Sequence, residues 1–281
     1  MNGSVSGAAA MFAVPLLAFT MTAASQSRQE RQDEDEIWSV SLGAGAIYHP
    51  DYEGSDDYEV DGLPVLGISY RDIVMLRGPS LMIDVFELSD TALAESLSFG
   101  PLVKFDPGRE ADDNPVLRNL GDIDEGALAG AFVNYEFGPV GLELTVAQDA
   151  TSRHEGLIAE IEAGYGFMLA QRLRAQLALS ATWANEDYTQ AYFGITAQQA
   201  QASGLREFTA DAGMKDAGAS LSLHYLLTEH WRVTGRLAWR RLLGDVRDQP
   251  RADLDEDGLL VGEVVEDRGA AHLHRLGDVL H

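Results

Sequence analysis

Two serine–histidine pairs are the residues of this sequence whose types and spacing could carry out catalysis. Ser222 and His224 lie two residues apart in a segment of alternating apolar and polar residues, which places both on one face of a β-strand. Nucleophilic catalysis needs such a hydroxyl beside an imidazole, together with a carboxylate that orients the imidazole. Ser152 and His154 have the same spacing. Serine and histidine are also ordinary residues of a polar strand face, and we predict no catalytic residue.

An acidic motif near the C-terminus has the spacing of a calcium-binding loop. Residues 253–258 read DLDEDG, which matches the first half of an EF-hand loop. The glutamate that binds calcium through both oxygens belongs at position 12, but that position is Val264, and Glu263 comes one residue early. The acidic pairs Asp56-Asp57 and Asp112-Asp113 are expected to be exposed loop residues. We therefore predict no metal site and no bound cofactor.

The composition excludes several classes of site and partner. The chain has 281 residues, with 45 acidic and 20 basic side chains and a formal net charge of −25. Binding to a phosphate backbone needs a basic face, so nucleic acid is not expected as a partner. Because the sequence contains no cysteine, it has no disulfide, thiol nucleophile, cysteine zinc site or iron–sulfur cluster.

The N-terminal region contains an apolar run, Ala8–Thr20. A membrane-spanning helix needs about 20 apolar residues, whereas the core of a signal peptide is shorter. Small residues precede Ser25, as at a signal-peptidase site, although no lysine or arginine comes before Arg28. A disordered apolar tail and a misassigned start codon are the alternatives. We predict a signal peptide over residues 1–24 and a polar linker over residues 25–36.

The rest of the chain alternates apolar and polar residues with a period of two, as β-strands with two different faces do. Many of the alternating segments carry aromatic residues at the ends of the apolar face. The clear segments are Trp38–Tyr48, Leu97–Phe105, Ala127–Phe137, Val140–Val146, Leu157–Phe167, Leu173–Trp183, Ala217–Tyr225 and Trp231–Trp239, and the weaker ones are Leu63–Tyr70, Ile73–Phe86 and Tyr188–Thr196.

A soluble sandwich and a membrane barrel both contain alternating strands, and strand length distinguishes them. Strands of soluble proteins average about 5–6 residues, whereas a strand that crosses a membrane needs about 9–11 residues and has aromatic residues at the two interfaces. Most of the alternating segments have this greater length. We therefore predict an all-β fold, an antiparallel transmembrane β-barrel of about 12 strands over residues 37–250. Ten or fourteen strands remain open.

The connections between these segments fall into two kinds. Tight turns are expected at residues 71–72, 138–139, 168–171 and 227–229, and longer acidic segments cover residues 49–60, 105–126 and 197–216. Outer-membrane barrels have their short turns on one side and their long loops on the other. The predicted strands do not place all the tight turns on one side, so one strand is miscounted.

Charged residues occupy the polar face of several predicted strands, and this face would line the lumen. One interpretation is a water-filled channel. The other is a narrow barrel that is plugged by ion pairs, because an unpaired buried charge costs several kcal/mol. We favour the plugged interpretation. The residues concerned are Lys104, Glu143, Asp149, Glu160, Glu162, Arg174, Arg232, Arg236 and Arg240.

Four ordered segments of the sequence resemble the MltA-interacting protein family (MipA/OmpV). The first block contains HPDYEGSDDY followed by Leu63-Pro64, which is similar to the family's "YxGSdxY…PLP" opening. The second contains GPLV, GREADD and LGDID, the third YFGIT, and the fourth RLLGD and Asp248-Gln249-Pro250. The blocks run over residues 49–64, 100–124, 192–205 and 241–250.

The resemblance implies an outer-membrane barrel of a Gram-negative cell, without known catalytic residues. The member that gives the family its name is described as a scaffold that joins a lytic transglycosylase to a bifunctional penicillin-binding protein. The implied partners are therefore a murein hydrolase and a murein synthase, besides outer-membrane lipid and lipopolysaccharide. A porin-like diffusion channel for small solutes is the alternative function, and an outer-membrane lipid hydrolase is a more distant one.

The C-terminal segment, residues 251–281, departs from this pattern. Barrels of this type are expected to end with an alternating strand and a final aromatic residue, but this segment contains no aromatic residue and ends at His281. Leu259–Val265 could form a short strand at most. We expect the family match to stop at Pro250, the tail to be poorly ordered and the barrel to assemble inefficiently.

Overall fold

The computed structural model describes residues 18–22, 38–50, 52–53, 55, 58–71, 73–89, 94–112, 114–228, 231–250 and 259–261. These residues form one sheet of fourteen strands and three short helices. All the strand pairs are antiparallel. The elements are β1 Ala18–Thr22, β2 Trp38–Pro50, β3 Tyr58–Tyr70, β4 Val74–Arg77, β5 Ser80–Ile83, β6 Phe86–Ser89, β7 Ser96–Asp106, β8 Gly126–Phe137, β9 Val140–Asp149, β10 Leu157–Ala170, β11 Leu173–Ala184, α1 Glu186–Phe193, α2 Ala197–Ser203, β12 Gly213–Leu226, β13 Trp231–Leu242, α3 Gly244–Arg247 and β14 Leu259–Val261.

The sheet curls so that its first and last long strands are joined through a short one. β1 pairs with both β2 and β13, and β14 pairs with the same edge of β13 further along that strand. β5 and β6 likewise share one edge of β7. Two of the fourteen strands thus share a position with another strand, which leaves twelve positions. The predicted antiparallel barrel of about 12 strands is confirmed. No helix in the described part of the chain is long and apolar enough to span a membrane.

Much of the two terminal segments lies outside the described residues. Of the predicted signal peptide over residues 1–24, the structure describes only residues 18–22, as β1. Of the tail over residues 251–281, it describes only residues 259–261, as β14. The signal peptide, the polar linker and the properties of the tail therefore stay predictions.

The two faces of the sheet are those that the alternation predicts. Leu144 and Leu177, near the middle of β9 and β11, lie on the outer face, where 42% and 51% of their surface is exposed. Aromatic rings lie at both ends of this face. Trp38 is 4.5 Å from Tyr70 at one end of the β2–β3 pair, and Tyr48 is 4.9 Å from Tyr58 at the other, between ring centroids. Apolar side chains that are exposed between aromatic rings are the pattern of a lipid-facing surface.

Two local predictions are wrong, and their errors cancel in the strand count. The segment Ile73–Phe86 is not one strand, because β4 and β5 form a hairpin whose turn contains Gly78 with a φ of 51°. The segment Tyr188–Thr196 is not a strand, because residues 186–193 form α1. The first error misses one strand and the second adds one, and both change the direction that is assigned to the strands between them.

With both errors corrected, the four tight turns expected from the sequence lie at one end of the barrel, which we call the turn end. It carries the connections at residues 71–73, 90–95, 138–139, 171–172 and 227–230. The longer connections lie at the opposite end, which we call the loop end, at residues 51–57, 107–125, 150–156 and 185–212 together with the segment that follows β13. This is the arrangement that outer-membrane barrels have.

The barrel wall is low at β4. Only Gly67–Tyr70 of β3 pair with β4, over the four residues nearest the turn end. The remaining nine residues of β3, Tyr58–Leu66, pair with β2, and among the described residues no strand is paired with their other edge. Most of these residues are exposed on both faces. The β2–β3 hairpin therefore protrudes beyond the β4–β5 hairpin towards the loop end.

Replacement of Gly100 by alanine should destabilise the barrel by ~1–3 kcal/mol, the usual cost of overpacking. Gly100 lies on β7 beside residues 84–85, where the chain passes from β5 to β6, and a methyl group there would overlap the backbone carbonyl oxygen of Ile83. Gly141→Ala on β9 is the matched control, because nothing lies within 4 Å of the position of its methyl group. Urea unfolding of the two variants in lipid vesicles measures the difference, and equal stabilities would contradict the close approach at Gly100.

Candidate functional site

The loop end of the barrel contains a helix that packs on an apolar layer inside the lumen. α1 begins at Asn185, whose side-chain oxygen accepts hydrogen bonds from the backbone N–H groups of Leu157 (2.8 Å) and Tyr188 (3.1 Å). These bonds fasten the start of the helix to the start of β10. The helix contributes Tyr188 and Phe193 to the main apolar cluster, which also contains the inward-facing Leu102, Leu128, Phe132, Ala147 and Ile158.

Asp106, the last residue of β7, connects this helix to the β9–β10 loop. Its carboxylate accepts hydrogen bonds from the Tyr192 hydroxyl, 2.9 Å from each oxygen, and from Arg153 at 3.1 Å. His154 Nε2 is 3.7 Å from the same carboxylate. Burial raises the pKa of Tyr192, as do neighbouring Tyr188 and Asp106, so the hydroxyl stays protonated and remains a donor.

Asp149 holds the β9–β10 loop in the shape that presents Arg153 and His154 to Asp106. Its side chain is fully buried, and it accepts hydrogen bonds from the backbone N–H groups of Arg153 (2.6 Å) and His154 (2.8 Å) and from both the N–H and the hydroxyl of Thr151. Burial would lower the pKa of Arg153, but the carboxylates of Asp106 and Asp149 outweigh it and raise that pKa. Arg153 is therefore a permanent cation.

A second buried ionic cluster lies at the start of β12. The pairing of β11 with β12 skips Lys215, so a β-bulge turns both Lys215 and Asp216 inward. Lys215 Nζ lies 2.6 Å from Glu53 Oε1 and 3.0 Å from Asp216 Oδ2. Asp216 also accepts a hydrogen bond from Thr182 at 3.0 Å. The bulge thus ties the β2–β3 connection, which contains Glu53, to the barrel wall.

Ion pairs cross the lumen between strands that are not neighbours. Lys104 on β7 pairs with Glu160 on β10 at 3.1 Å, and Arg236 on β13 pairs with Glu162 at 3.2 Å. The predicted polar-face residues Lys104, Glu160, Glu162 and Arg236 are therefore brought together in pairs. Asp149 has a different role, because its carboxylate caps a loop at the end of β9.

The four motif blocks meet at the loop end. The Arg109 guanidinium donates to the Tyr192 carbonyl at 2.8 Å, which joins the second block to the third. The Gln249 amide donates to the Glu53 carbonyl at 3.2 Å, which joins the fourth to the first. A small apolar cluster adds members of three blocks and of the chain beside them: Leu117, Leu120, Ile195, Tyr52, Ala200, Leu205 and Phe208. We call the assembly of residues 52–53, 55, 106–112, 114–125, 150–156, 185–212 and 243–250 the loop cap.

The two serine–histidine pairs are placed differently. His154 Nδ1 accepts a hydrogen bond from the Gly156 N–H at 2.9 Å, so this nitrogen is engaged by the backbone and is not a base for Ser152. His224 Nδ1 lies 3.2 Å from the Thr234 hydroxyl on β13. Asp56-Asp57, Asp113, residues 253–258 and residues 263–264 lie outside the described residues. The prediction of no catalytic residue stays a prediction.

Sequence reasoning missed the residues that hold the loop cap together. Asp106 ends β7, Arg153 lies in the β9–β10 connection and Tyr192 lies in α1. No spacing in the sequence relates these residues. The sequence did contain one indication of the helix inside the barrel. Leu128 and Phe132 are large apolar residues on the polar face of β8, and such residues indicate that an apolar segment packs against them in the lumen.

The whole motif-bearing region matches a known protein family. A family model described as MltA-interacting protein MipA matches residues 42–262. The match therefore runs beyond Pro250, where it was expected to stop, and includes β14. The chain is 27% identical over 222 residues to a putative outer membrane protein, YiaT, of Escherichia coli K12, covering 77% of this chain and 86% of that protein.

A second relative gives the family its description. The chain is 25% identical over 228 residues to the MltA-interacting protein of Escherichia coli K12, covering 79% of this chain and 87% of that protein. Among solved structures, OccAB1 of Acinetobacter baumannii overlaps 87% of this chain and 68% of its own, with 11% identity and a TM-score of 0.26. A TM-score this low adds nothing to the fold described above.

Proposed function

The chain belongs to the MltA-interacting protein MipA family, and we propose that it is a non-enzymatic scaffold that binds a murein-remodelling enzyme at the periplasmic face of the outer membrane. It is an outer-membrane β-barrel of a Gram-negative cell, like the relatives whose names give that location. The family is named for an interaction and not for a reaction. The proposed partners are a lytic transglycosylase and a penicillin-binding protein.

The side chains packed inside the barrel are the observation that favours this proposal over the porin-like alternative. α1 packs on the apolar layer inside the barrel, and ion pairs such as Lys104–Glu160 and Arg236–Glu162 join strands across it. A diffusion channel needs a wide and continuous polar path, whereas here a helix and partly exposed ion pairs occupy the interior of the barrel. An interior filled in this way favours a function that one end of the barrel performs, and not passage of solutes through the lumen.

The ends of the barrel indicate which surface that is. Short turns face the periplasm and long loops face the exterior in outer-membrane barrels, so we assign the turn end to the periplasm, where murein lies. Arg71 and Arg172 are exposed at this end. The loop cap lies at the opposite end, and its function in this proposal is to close the barrel.

Direct binding tests the scaffold. The full chain in detergent, immobilised, should bind the purified lytic transglycosylase of the same organism. The double variant Arg71→Glu/Arg172→Glu at the turn end should weaken the Kd at least about tenfold, a loss of ~1.4 kcal/mol. Arg118→Glu, an exposed arginine of the loop cap, is the matched control and should leave the Kd unchanged. Binding that is lost only with Arg118→Glu would reverse the assignment of the two ends, and absence of binding would contradict the scaffold.

Conductance in planar bilayers distinguishes the alternative. A plugged lumen, as we propose, gives no steady current, whereas a porin-like channel gives a stable ohmic conductance that scales with salt concentration. A steady conductance in the unmodified protein would favour the channel over the scaffold.

A further inference from the structure

Three side chains with metal-binding groups converge on the protruding β2–β3 hairpin. His49 pairs with Glu59, and Ile47 pairs with Asp61, in the register of β2 with β3. Because alternate residues share a face of a strand, His49, Glu59 and Asp61 all lie on one face of the hairpin. The closest ligand atoms of these three side chains all lie within 4.8 Å of one another.

The hydrogen bonds of His49 determine which of its nitrogens faces the carboxylates. Nδ1 lies 2.8 Å from the Pro50 carbonyl oxygen, which can only accept, so Nδ1 carries the proton. Nε2 lies 2.8 Å from Asp61 Oδ2. In the neutral imidazole Nε2 presents a lone pair to a carboxylate, and two acceptors at this separation need a cation between them. Either a proton or a metal ion meets this need.

The same geometry is the one that metal-binding histidines have. A histidine ligand almost always donates its other ring N–H to a carbonyl or a carboxylate, which fixes the tautomer and the ring orientation. The Pro50 carbonyl has this position relative to His49. The chain therefore holds the Nε2 lone pair on the side of Glu59 and Asp61 before any ion binds.

The set of donors selects the class of ion. One imidazole nitrogen and two carboxylate oxygens suit zinc and related transition ions, whereas calcium and magnesium prefer oxygen ligands alone. Tetrahedral zinc holds ligands at about 2.0–2.2 Å, which places two of them about 3.3 Å apart. Nε2 and Asp61 Oδ2 need to separate by only about half an ångström from their present distance to accept it, and Asp61 is exposed enough to move.

We propose that His49, Glu59 and Asp61 form a zinc site at the loop end of the β2–β3 hairpin. A fourth coordination position remains for water or for a ligand from outside the barrel. The site lies on the part of β3 that pairs with β2 alone among the described residues. Its position indicates a role in joining the two strands of this hairpin.

Calorimetric titration with zinc chloride tests the site on the full chain in detergent. The background for all variants carries His272→Gln, His274→Gln and His281→Gln, because these tail imidazoles would bind zinc by themselves. We expect the background protein to bind one equivalent of zinc. His49→Gln and Asp61→Asn should each weaken that binding at least about tenfold, whereas His224→Gln, which changes a histidine inside the barrel, should leave it unchanged.

Spectroscopy and competition complete the test. X-ray absorption at the zinc edge should show one imidazole with oxygen ligands, and a tenfold excess of calcium should not displace the zinc. Heat-modifiable migration on gels must be the same for all variants, which shows that the barrel is folded in each. Absence of binding in the background protein, equal binding in His49→Gln, or displacement by calcium would overturn the zinc site, and the first of these would indicate that a proton alone joins His49 to Asp61.

Discussion

Replacement of Leu177 by arginine should lower the free energy of unfolding of the barrel by ~2–4 kcal/mol. Leu177 lies near the middle of β11, and half of its surface is exposed on the outer face. At that depth the guanidinium would face hydrocarbon, where it has neither water nor a counterion. Urea unfolding in lipid vesicles, monitored through heat-modifiable migration on gels, measures the loss of stability. Leu144→Arg on β9 should have the same effect.

Gln176→Arg is the control for this experiment. Gln176 is the neighbour of Leu177 in sequence and lies on the inward face, where its amide is close to Gly164. Arginine there would remain among polar side chains of the lumen and should cost much less than arginine at Leu177. Equal losses at the two positions would mean that the faces of β11 are assigned wrongly.

Replacement of Asp149 by alanine should destabilise the loop cap by ~1–3 kcal/mol or more, because buried hydrogen-bond donors lose their acceptor. The change leaves the backbone N–H groups of Arg153 and His154 and the hydroxyl of Thr151 without their acceptor. Arg153 and His154 would then no longer be held against Asp106. Hydrogen exchange of residues 150–156 and limited proteolysis of residues 185–212 should both become faster.

Asp187→Ala is the matched control, since Asp187 is exposed and only accepts a hydrogen bond from the Asn185 side chain. Its effect should be within about 0.5 kcal/mol. The strands should keep their protection in both variants, because Asp149 acts on the loop and not on the sheet. Unchanged exchange in Asp149→Ala would show that the loop does not depend on this carboxylate.

The long strands could be predicted from the sequence because lipid imposes a simple pattern on them. Each outward side chain of β11, from Leu173 to Trp183, must be apolar or small, and each strand must be long enough to span the membrane. Shorter elements carry less of this pattern. β4 and β5 have four residues each, so their alternation looks like a continuation through Gly78-Pro79. α1 has eight residues, and its helical state depends on the Asn185 cap.

The loop cap could not be predicted because its contacts join residues that are far apart in sequence. Arg109 and Tyr192 are separated by 83 residues, and Glu53 and Gln249 by 196. A charged residue such as Asp106 or Glu53 in an acidic connection is indistinguishable, in sequence, from a solvated one. The family resemblance identified the four blocks that form much of the loop cap, but it gave no indication that these blocks contact one another.

The low wall at β4 has a consequence for the surrounding bilayer. A strand of four residues is about 13 Å long, which is roughly half of the apolar band of an outer-membrane barrel. Since β4 lies next to the turn end, the missing height falls in the outer leaflet. Lipid beside a short hydrophobic wall responds by local thinning, at a cost of fractions of a kcal/mol per ångström of mismatch. The outer leaflet should therefore be thinner beside β4 than around the rest of the barrel. Thicker membranes should disfavour insertion of the barrel.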